Sequence, residues 1–172
     1  MVILKGNKVI LRSVTKNDLR FFKIWRNTHE IWKNNTQFIF LNMVNQNIWF
    51  KSLSNSKKNK AMFTITDKRK IPIGICGLTS IDLDNKNAKI AIIIGKINLH
   101  SKGIGSESLE LLLHYCFNHL KLHRIEAEII EYNKKSIEFF QKFNFQFEII
   151  LHQTLWRKNK WWDIHKYSLI KN

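Results

Sequence analysis

The chain has 172 residues, of which 44% are hydrophobic and 12% aromatic, and a formal net charge of +16. That length and apolar content suit one globular domain whose core needs neither disulfide nor metal support. No apolar run approaches the roughly 20 residues that a membrane helix requires, which excludes a helical membrane span.

Met1 to Ile10 alternates apolar and polar residues and carries Lys5 and Lys8, a strand pattern rather than a signal peptide. Val9–Arg12 reads as a short strand. Asn17-Asp18 caps a helix whose apolar positions are Leu19, Phe22, Ile24 and Trp25. A second helix over Asn45–Leu53 presents Ile48, Trp49 and Leu53, and a polar loop from Ser54 to Lys60 follows. Ala61–Thr66 and Ile71–Ile81 form a hairpin about Asp67-Lys68-Arg69-Lys70, with Pro72 placing the second strand at an edge.

Asp82–Asn87 turns the chain into a strand over Lys89–Ile94, followed by the loop Ser101-Lys102-Gly103-Ile104-Gly105-Ser106 and a helix over Ser106–Leu120. That helix gathers Leu109, Leu112, Leu113, Cys116, Phe117 and Leu120 on one face. Glu107 and Glu110 in its first turns and Lys121 beyond its end match the helix dipole. Arg124–Ile130 is the next strand. Asn133 caps a helix running to Phe143, with Asn144 as a left-handed terminator. Phe145–Trp156 and Trp161–Ile170 close the chain as a hairpin, in which the adjacent Trp161 and Trp162 must point to opposite faces. One joins the core and the other is free to line a cleft. No repeat, low-complexity linker or internal boundary interrupts residues 1–172.

Two glycines opening a helix let the backbone approach an anion, and the exposed amides and positive dipole end favour one; Lys102 adds a mobile charge. A plain tight turn would leave the same residues. The Walker loop's Gly-x-x-x-x-Gly-Lys-Ser/Thr is absent, and Ser108 stands where the dinucleotide fingerprint needs a third glycine. Cys76 and Cys116 lie among apolar neighbours, as buried thiols in a reducing, cytoplasmic setting do, and they make no metal site. The basic residues are dispersed, with short clusters only at Lys57-Lys58-Asn59-Lys60 and Arg157-Lys158-Asn159-Lys160. Such a field favours anionic ligands generally and argues against a nucleic-acid footprint.

Five segments, in order and at matching spacing, resemble the GNAT acetyltransferase superfamily: Ala88–Gly95, His100–Gly105, Leu120–Ile125, Asn133–Ser136 and Lys142–Phe145. More narrowly, the chain is similar to the branch holding ribosomal-protein alanine, spermidine and nucleotide-amino-sugar acetyltransferases. The family's loop signature is Gln or Arg, two residues, Gly, one residue, then Gly or Ala. His100 takes its first place and Gly103 and Gly105 fit it.

The resemblance implies an α/β (α+β) single domain. Its mixed, mostly antiparallel sheet would have six to seven strands, helices on both faces and a splayed central strand pair. It implies acetyl-CoA as donor and an amine acceptor, no membrane partner, and an oligomeric state that admits a homodimer. His100, Ser101, Lys102, Gly103, Ile104, Gly105 and Ser106 would hold the pyrophosphate, while the backbone of Ile92, Ile93 and Ile94 would bind pantetheine. Asn133, Ser136 and Phe140 would approach the pantetheine end and Lys142 the nucleotide. Trp25, Arg26, Asn27 and Trp49 would serve the acceptor. Asn133 as a cap, Lys142 as a solvated charge, and Trp25 and Trp49 as packing are the plainer alternatives.

Two departures weigh against familiar acid–base assignments. Phe140 stands where many relatives have a tyrosine able to protonate the leaving thiolate, and Lys89 where many have a glutamate. The catalytic groups and the particular amine are therefore left open. The expected activity is acetyl transfer to a low-pKa primary amine, on a nucleotide-linked amino sugar or a protein N-terminus; a CoA-binding relative with impaired catalysis is the alternative.

Overall fold

The computed structural model describes residues 3–37, 39–55 and 59–171. Lys57 and Lys58, half of one basic cluster, lie outside them. Eight strands form one sheet in the order β1-β2-β3-β4-β5-β6-β8-β7: β1 (Ile3–Lys5), β2 (Ile10–Ser13), β3 (Ala61–Thr66), β4 (Pro72–Asp82), β5 (Asn87–Ile94), β6 (Arg124–Ile130), β7 (Gln146–Arg157) and β8 (Lys160–Ile170). All neighbours run antiparallel except β5 and β6, which are parallel. The strand beyond the expected seven is the three-residue β1. β4 lies inside the sheet, not at an edge, because Pro72 is its first residue and pairs with Thr66 at a bulge, where a missing N–H costs the ladder little.

Among the described residues five helices flank the sheet: α1 (Leu19–Asn27), α2 (His29–Trp32), α3 (Met43–Asn55), α4 (Ile104–His114) and α5 (Lys134–Gln141). On one face Leu109, Leu112 and Cys116 from α4 and its extension, with Ile137 and Phe140 from α5, pack against Ala88 and Ile90 of β5 and Ile125, Ala127 and Ile129 of β6. On the other, Leu19, Phe22 and Trp25 of α1 cluster with Ile31, Ile75, Trp49, Met62 and Ile93. Ile24 and Ile48 point outward (57% and 63% exposed), so the apolar faces of α1 and α3 are narrower than their sequences suggest.

Ion pairing and hydrogen bonding fix the entry to α1. The Asp18 carboxylate receives two 2.7 Å bonds from the Arg12 guanidinium and further bonds from Thr15 N, Thr15 Oγ1 and Thr64 Oγ1 at 2.8 to 2.9 Å. Burial alone would raise this carboxyl, but those donors outweigh it and hold it below its usual range.

Past His114, α4 continues as a π turn, Tyr115–His119, in which Leu120 N donates to Tyr115 O. The helix thus starts two residues earlier than expected and loses α geometry six residues sooner. α5 ends at Gln141, and Asn144 is left-handed at φ 62° as expected. The β7–β8 hairpin turns on two further left-handed residues, Lys158 and Asn159, the geometry that matches strand twist. No helix among the described residues is long and apolar enough to cross a membrane.

Candidate functional site

The sheet opens at its one parallel junction. β5 and β6 pair at Asn87↔Arg124, Ala88↔Ile125 and Lys89↔Glu126 and no further. Beyond that point β5 stays with β4 as far as Ile94, and β6 stays with β8 as far as Ile130. Backbone groups on the facing edges of Ile90–Ile94 and Ala127–Ile130 are therefore released from the ladder. Ile92 and Ile94 pack toward α4, whereas Ile93 packs toward α1. The His100 ring nitrogen Nε2 meets the carbonyl of Ile94 at 2.8 Å. Ile92 shares that strand edge and has its polar groups toward the fork.

The loop after β5 brings the α4 N-terminus to the fork. Ser101 is left-handed (φ 60°), and so is Gly103, the N-cap (φ 80°). The first helical bond runs from Glu107 N to Gly103 O at 3.1 Å. The amides of Ile104, Gly105 and Ser106 precede it and have no partner among the described residues, the standard state of a helix start. A Cβ on Gly105 would sit 3.5 Å from the Phe139 ring and 3.8 Å from Ile94 Cγ1, in ordinary contact. Alanine fits there, as the loop signature allows, whereas a longer side chain has to enter the space before the amides.

Glu107 does more than complement a dipole. Its carboxylate accepts the amides of Asn7, Lys8 and Val9 at 2.5, 2.7 and 2.8 Å, and Lys8 Nζ donates to Lys102 O at 3.2 Å. The β1–β2 turn is thereby tied to the glycine loop, a contact spanning about a hundred residues that no local pattern announces.

At the fork's end, Asn133 caps α5, with its side chain accepting Ser136 N at 3.3 Å. Phe140 is only 6% exposed and packs edge-on against Phe139 and Phe145, so it is a core ring that carries no proton. The aromatic beside the loop is Phe139, one position earlier on α5. Lys142 is exposed at the far end of α5 from Asn133.

The α1 side corrects part of the acceptor expectation. Trp25 is 6% exposed, stacks with Phe21 and lies tilted against Phe22; it covers Gly95, where a Cβ would fall 1.9 Å from the indole. Its ring has no open face for an acceptor. The Asn27 carboxamide is committed to both backbone groups of Leu41, at 2.7 and 2.8 Å. Trp49 is half-buried and edge-on to Phe22. Arg26 remains available: half-buried, it bonds Gln37 Oε1 at 3.3 Å, and no carboxylate among the described residues pairs with it. Burial lowers its guanidinium pKa, so an anion brought to it would be favoured.

Trp161 is exposed beside Trp156, while Trp162 is half-buried edge-on to Tyr132 at 4.8 Å, with Lys160 Nζ 4.2 Å from its ring. Buried Arg157 donates to the carbonyls of Lys33, Asn35 and Thr36 and to the Tyr132 hydroxyl, tying the segment after α2 to the hairpin tip.

Strand alternation puts a row of charges on the sheet face away from α4. Arg124 and Lys166 both hold Glu126, at 2.9 and 2.8 Å. Arg124 also grips Glu148, holding that carboxyl down at about 2 with help from Ser168. Lys89 Nζ meets Glu128 Oε1 at 2.5 Å across the base of the fork. The Cys76 and Cys116 thiols are buried, and burial pushes both pKa values up, Cys116 to about 12, so neither is a nucleophile.

A mixed sheet split at its parallel junction, with open helix amides beside the split, is the frame of an acetyltransferase. The chain belongs to the GNAT acetyltransferase family, as the family model for the acetyltransferase (GNAT) domain matches residues 8–146; acetyl-CoA is the family's donor. It is 36% identical over 99 residues to the uncharacterised N-acetyltransferase p20 of Bacillus licheniformis. That match covers 58% of this chain and about half, 55%, of the relative's length. It is 22% identical over 170 residues to the spermidine N(1)-acetyltransferase of Vibrio cholerae, covering 97% of this chain and 95% of that one. The crystal structure of the Vibrio cholerae spermidine N-acetyltransferase with CoA and spermine superposes with TM-score 0.88 at 21% identity, over 96% of each chain. A ribosomal L7/L12 α-N-protein acetyltransferase with coenzyme A gives TM-score 0.85 at 16% identity, over 98% of each chain. At these identities the likeness is one of fold.

Proposed function

We propose that this chain moves the acetyl group of acetyl-CoA to a low-pKa primary amine on an anionic acceptor, either a nucleotide-linked amino sugar or a protein N-terminus. The donor's pyrophosphate meets the amides of Ile104–Ser106, framed by His100, Ser101, Lys102 and Gly103. Pantetheine lies along Ile92–Ile94, near Asn133 and Ser136, and Lys142 serves the nucleotide. Residues 1–172 act as one domain, and the two free buried cysteines suit a reducing cytoplasm.

The observation that carries the acceptor reading is Arg26, a half-buried guanidinium at the α1 end with no carboxylate partner among the described residues. The segment carrying its partner Gln37 is held in place by buried Arg157, which donates to the carbonyls of Asn35 and Thr36. A polycation such as spermine, the ligand of the Vibrio cholerae structure, gains nothing from such a guanidinium, whereas a phosphate or acidic peptide does. Amine chemistry agrees. At pH 7 the free base costs roughly 4 to 5 kcal/mol for an amine of pKa about 10.4 but about 1 kcal/mol for an α-amine near 7.8. With Phe140 and Lys89 at the usual acid and base positions, the easier amine is the one expected. Positioning and backbone stabilisation of the oxyanion supply the remainder.

Free-thiol release from acetyl-CoA, measured with a nucleotide-linked amino sugar, an acidic N-terminal peptide and spermidine, tests the reading. One of the first two should exceed spermidine at least tenfold in kcat/KM. A preference for spermidine refutes the acceptor class. Thermal stabilisation by acetyl-CoA without thiol release for any amine supports the impaired-catalysis reading favoured by Phe140; no stabilisation removes the donor assignment.

A further inference from the structure

We infer that Lys8, on the β1–β2 turn, is a ligand for the donor's pyrophosphate, an assignment that rests on the donor placement proposed above. Its ammonium stands over the N-cap of α4: a Cβ on Gly103 would lie 2.9 Å from Lys8 Nζ. Nζ also donates to Lys102 O at 3.2 Å. The open amides of Ile104, Gly105 and Ser106 begin at the next residue. A cation from 94 residues away in the sequence thus meets the helix end that the glycine loop prepares.

Folding fixes the backbone that carries this cation and leaves its head group in solvent. Glu107 accepts the amides of Asn7, Lys8 and Val9, and Lys68 Nζ donates to Gly6 O at 2.6 Å, so the turn is held at both its start and its end. Glu107 is the acidic residue in the first turn of α4. Both its oxygens are occupied by main-chain donors, Oε1 by Asn7 and Oε2 by Lys8 and Val9. The Lys8 side chain is exposed, and no carboxylate among the described residues pairs with its ammonium.

Without an anion this arrangement is unfavourable. A helix N-terminus carries roughly half a positive charge, so an ammonium beside it is repelled where an anion is attracted. The one carbonyl bond replaces a bond to water and returns little. An anionic diphosphate reverses the balance, because it takes a charge-assisted bond from Nζ and main-chain bonds from the amides together. Lys8 is therefore a contact that gains its value only with the donor bound. It reads the charge of the diphosphate, not the acyl group or the base.

The test is calorimetry on wild type, Lys8→Met, Lys8→Arg and, as a charge control at the entry to α1, Lys16→Met, each with acetyl-CoA, dephospho-CoA and pantetheine. Lys8→Met should weaken acetyl-CoA about tenfold, as loss of one charge-assisted phosphate contact does, and dephospho-CoA by the same factor. Pantetheine, which has no phosphate, should stay within twofold. Lys8→Arg should keep most of the affinity, and Lys16→Met should match wild type within twofold. Donor affinity of Lys8→Met should also fall less steeply with added salt. Its donor-free Tm should be no lower than that of wild type, since a repulsion has gone. Acetyl-CoA affinity within twofold in Lys8→Met overturns the assignment. A loss shared by pantetheine, or a lower donor-free Tm, means that Lys8 merely braces the loop and overturns it too. A loss with acetyl-CoA but not with dephospho-CoA puts the ammonium on the 3′-phosphate and refutes the pyrophosphate contact. Affinity unmoved by Gly105→Leu defeats the donor placement and this assignment together, whereas Lys8→Met unmoved beside a weakened Gly105→Leu strikes Lys8 alone.

Discussion

Replacing Gly95 with alanine puts a methyl carbon 1.9, 2.3 and 2.4 Å from three carbons of the Trp25 indole, where carbon–carbon contact needs about 3.5 Å. Neither side can yield cheaply. Gly95 N is bonded to Ile73 O at 2.8 Å, which fixes the strand end to β4, and the indole is boxed in by Phe21 and Phe22. Expelling the indole forfeits burial of about 150–250 Å², at most roughly 4–6 kcal/mol, and partial adjustment costs about 1–3 kcal/mol. A loss of about 3 kcal/mol is expected, which for a chain of this length lowers Tm by roughly 6–12 °C in a calorimetric scan. Trp25→Ala alone should cost about 3–5 kcal/mol. The double variant should be no worse than Trp25→Ala, because the methyl then enters the space the indole left. Gly95→Ala melting within about 1 °C of wild type, or losses that add in the double variant, would refute the packing argument and return the Trp25 ring to the acceptor side.

Gly105→Ala should keep acetyl-CoA affinity within twofold by calorimetry, since its methyl meets only Phe139 and Ile94 in ordinary contact; Gly105→Leu should weaken it more than tenfold. Gly103→Ala forces a left-handed alanine and crowds Lys8 Nζ at 2.9 Å, so a thermal-stability loss of about 1–2 kcal/mol is expected. The Glu148 carboxyl is depressed to about 2 by Arg124 and Ser168. A carboxyl lowered by folding contributes stability that is complete above its unfolded pKa and fades as pH falls through the folded one. The urea midpoint of wild type should therefore drop more steeply between about pH 5 and pH 2 than that of Glu148→Gln; parallel slopes would deny the depression.

Periodicity made the strands, α4, α5 and the final hairpin legible, because each buries one face and repeats at its own period. It did less well where a face is only half covered: Ile24 and Ile48 fit a helical stripe yet lie in the open, since spacing cannot say how far a partner extends. The glycine loop was readable because a left-handed N-cap and open amides need those residues. The acceptor side was not. Trp25 and Asn27 looked like ligand groups, but their partners, Gly95 and the Leu41 backbone, are loop positions with no pattern of their own. The Lys89–Glu128 pair joins residues 39 apart on strands whose register only the fold reveals.

With the donor's pyrophosphate on the α4 amides as proposed, the Glu107 clasp makes the β1–β2 turn a gauge of its occupancy. The amides of Asn7, Lys8 and Val9 trade their protons with solvent only when that carboxylate lets go. Any molecule that quiets the first turn of α4 should slow deuterium uptake in this distant turn, and a bulky fusion joined just ahead of it should blunt the gauge.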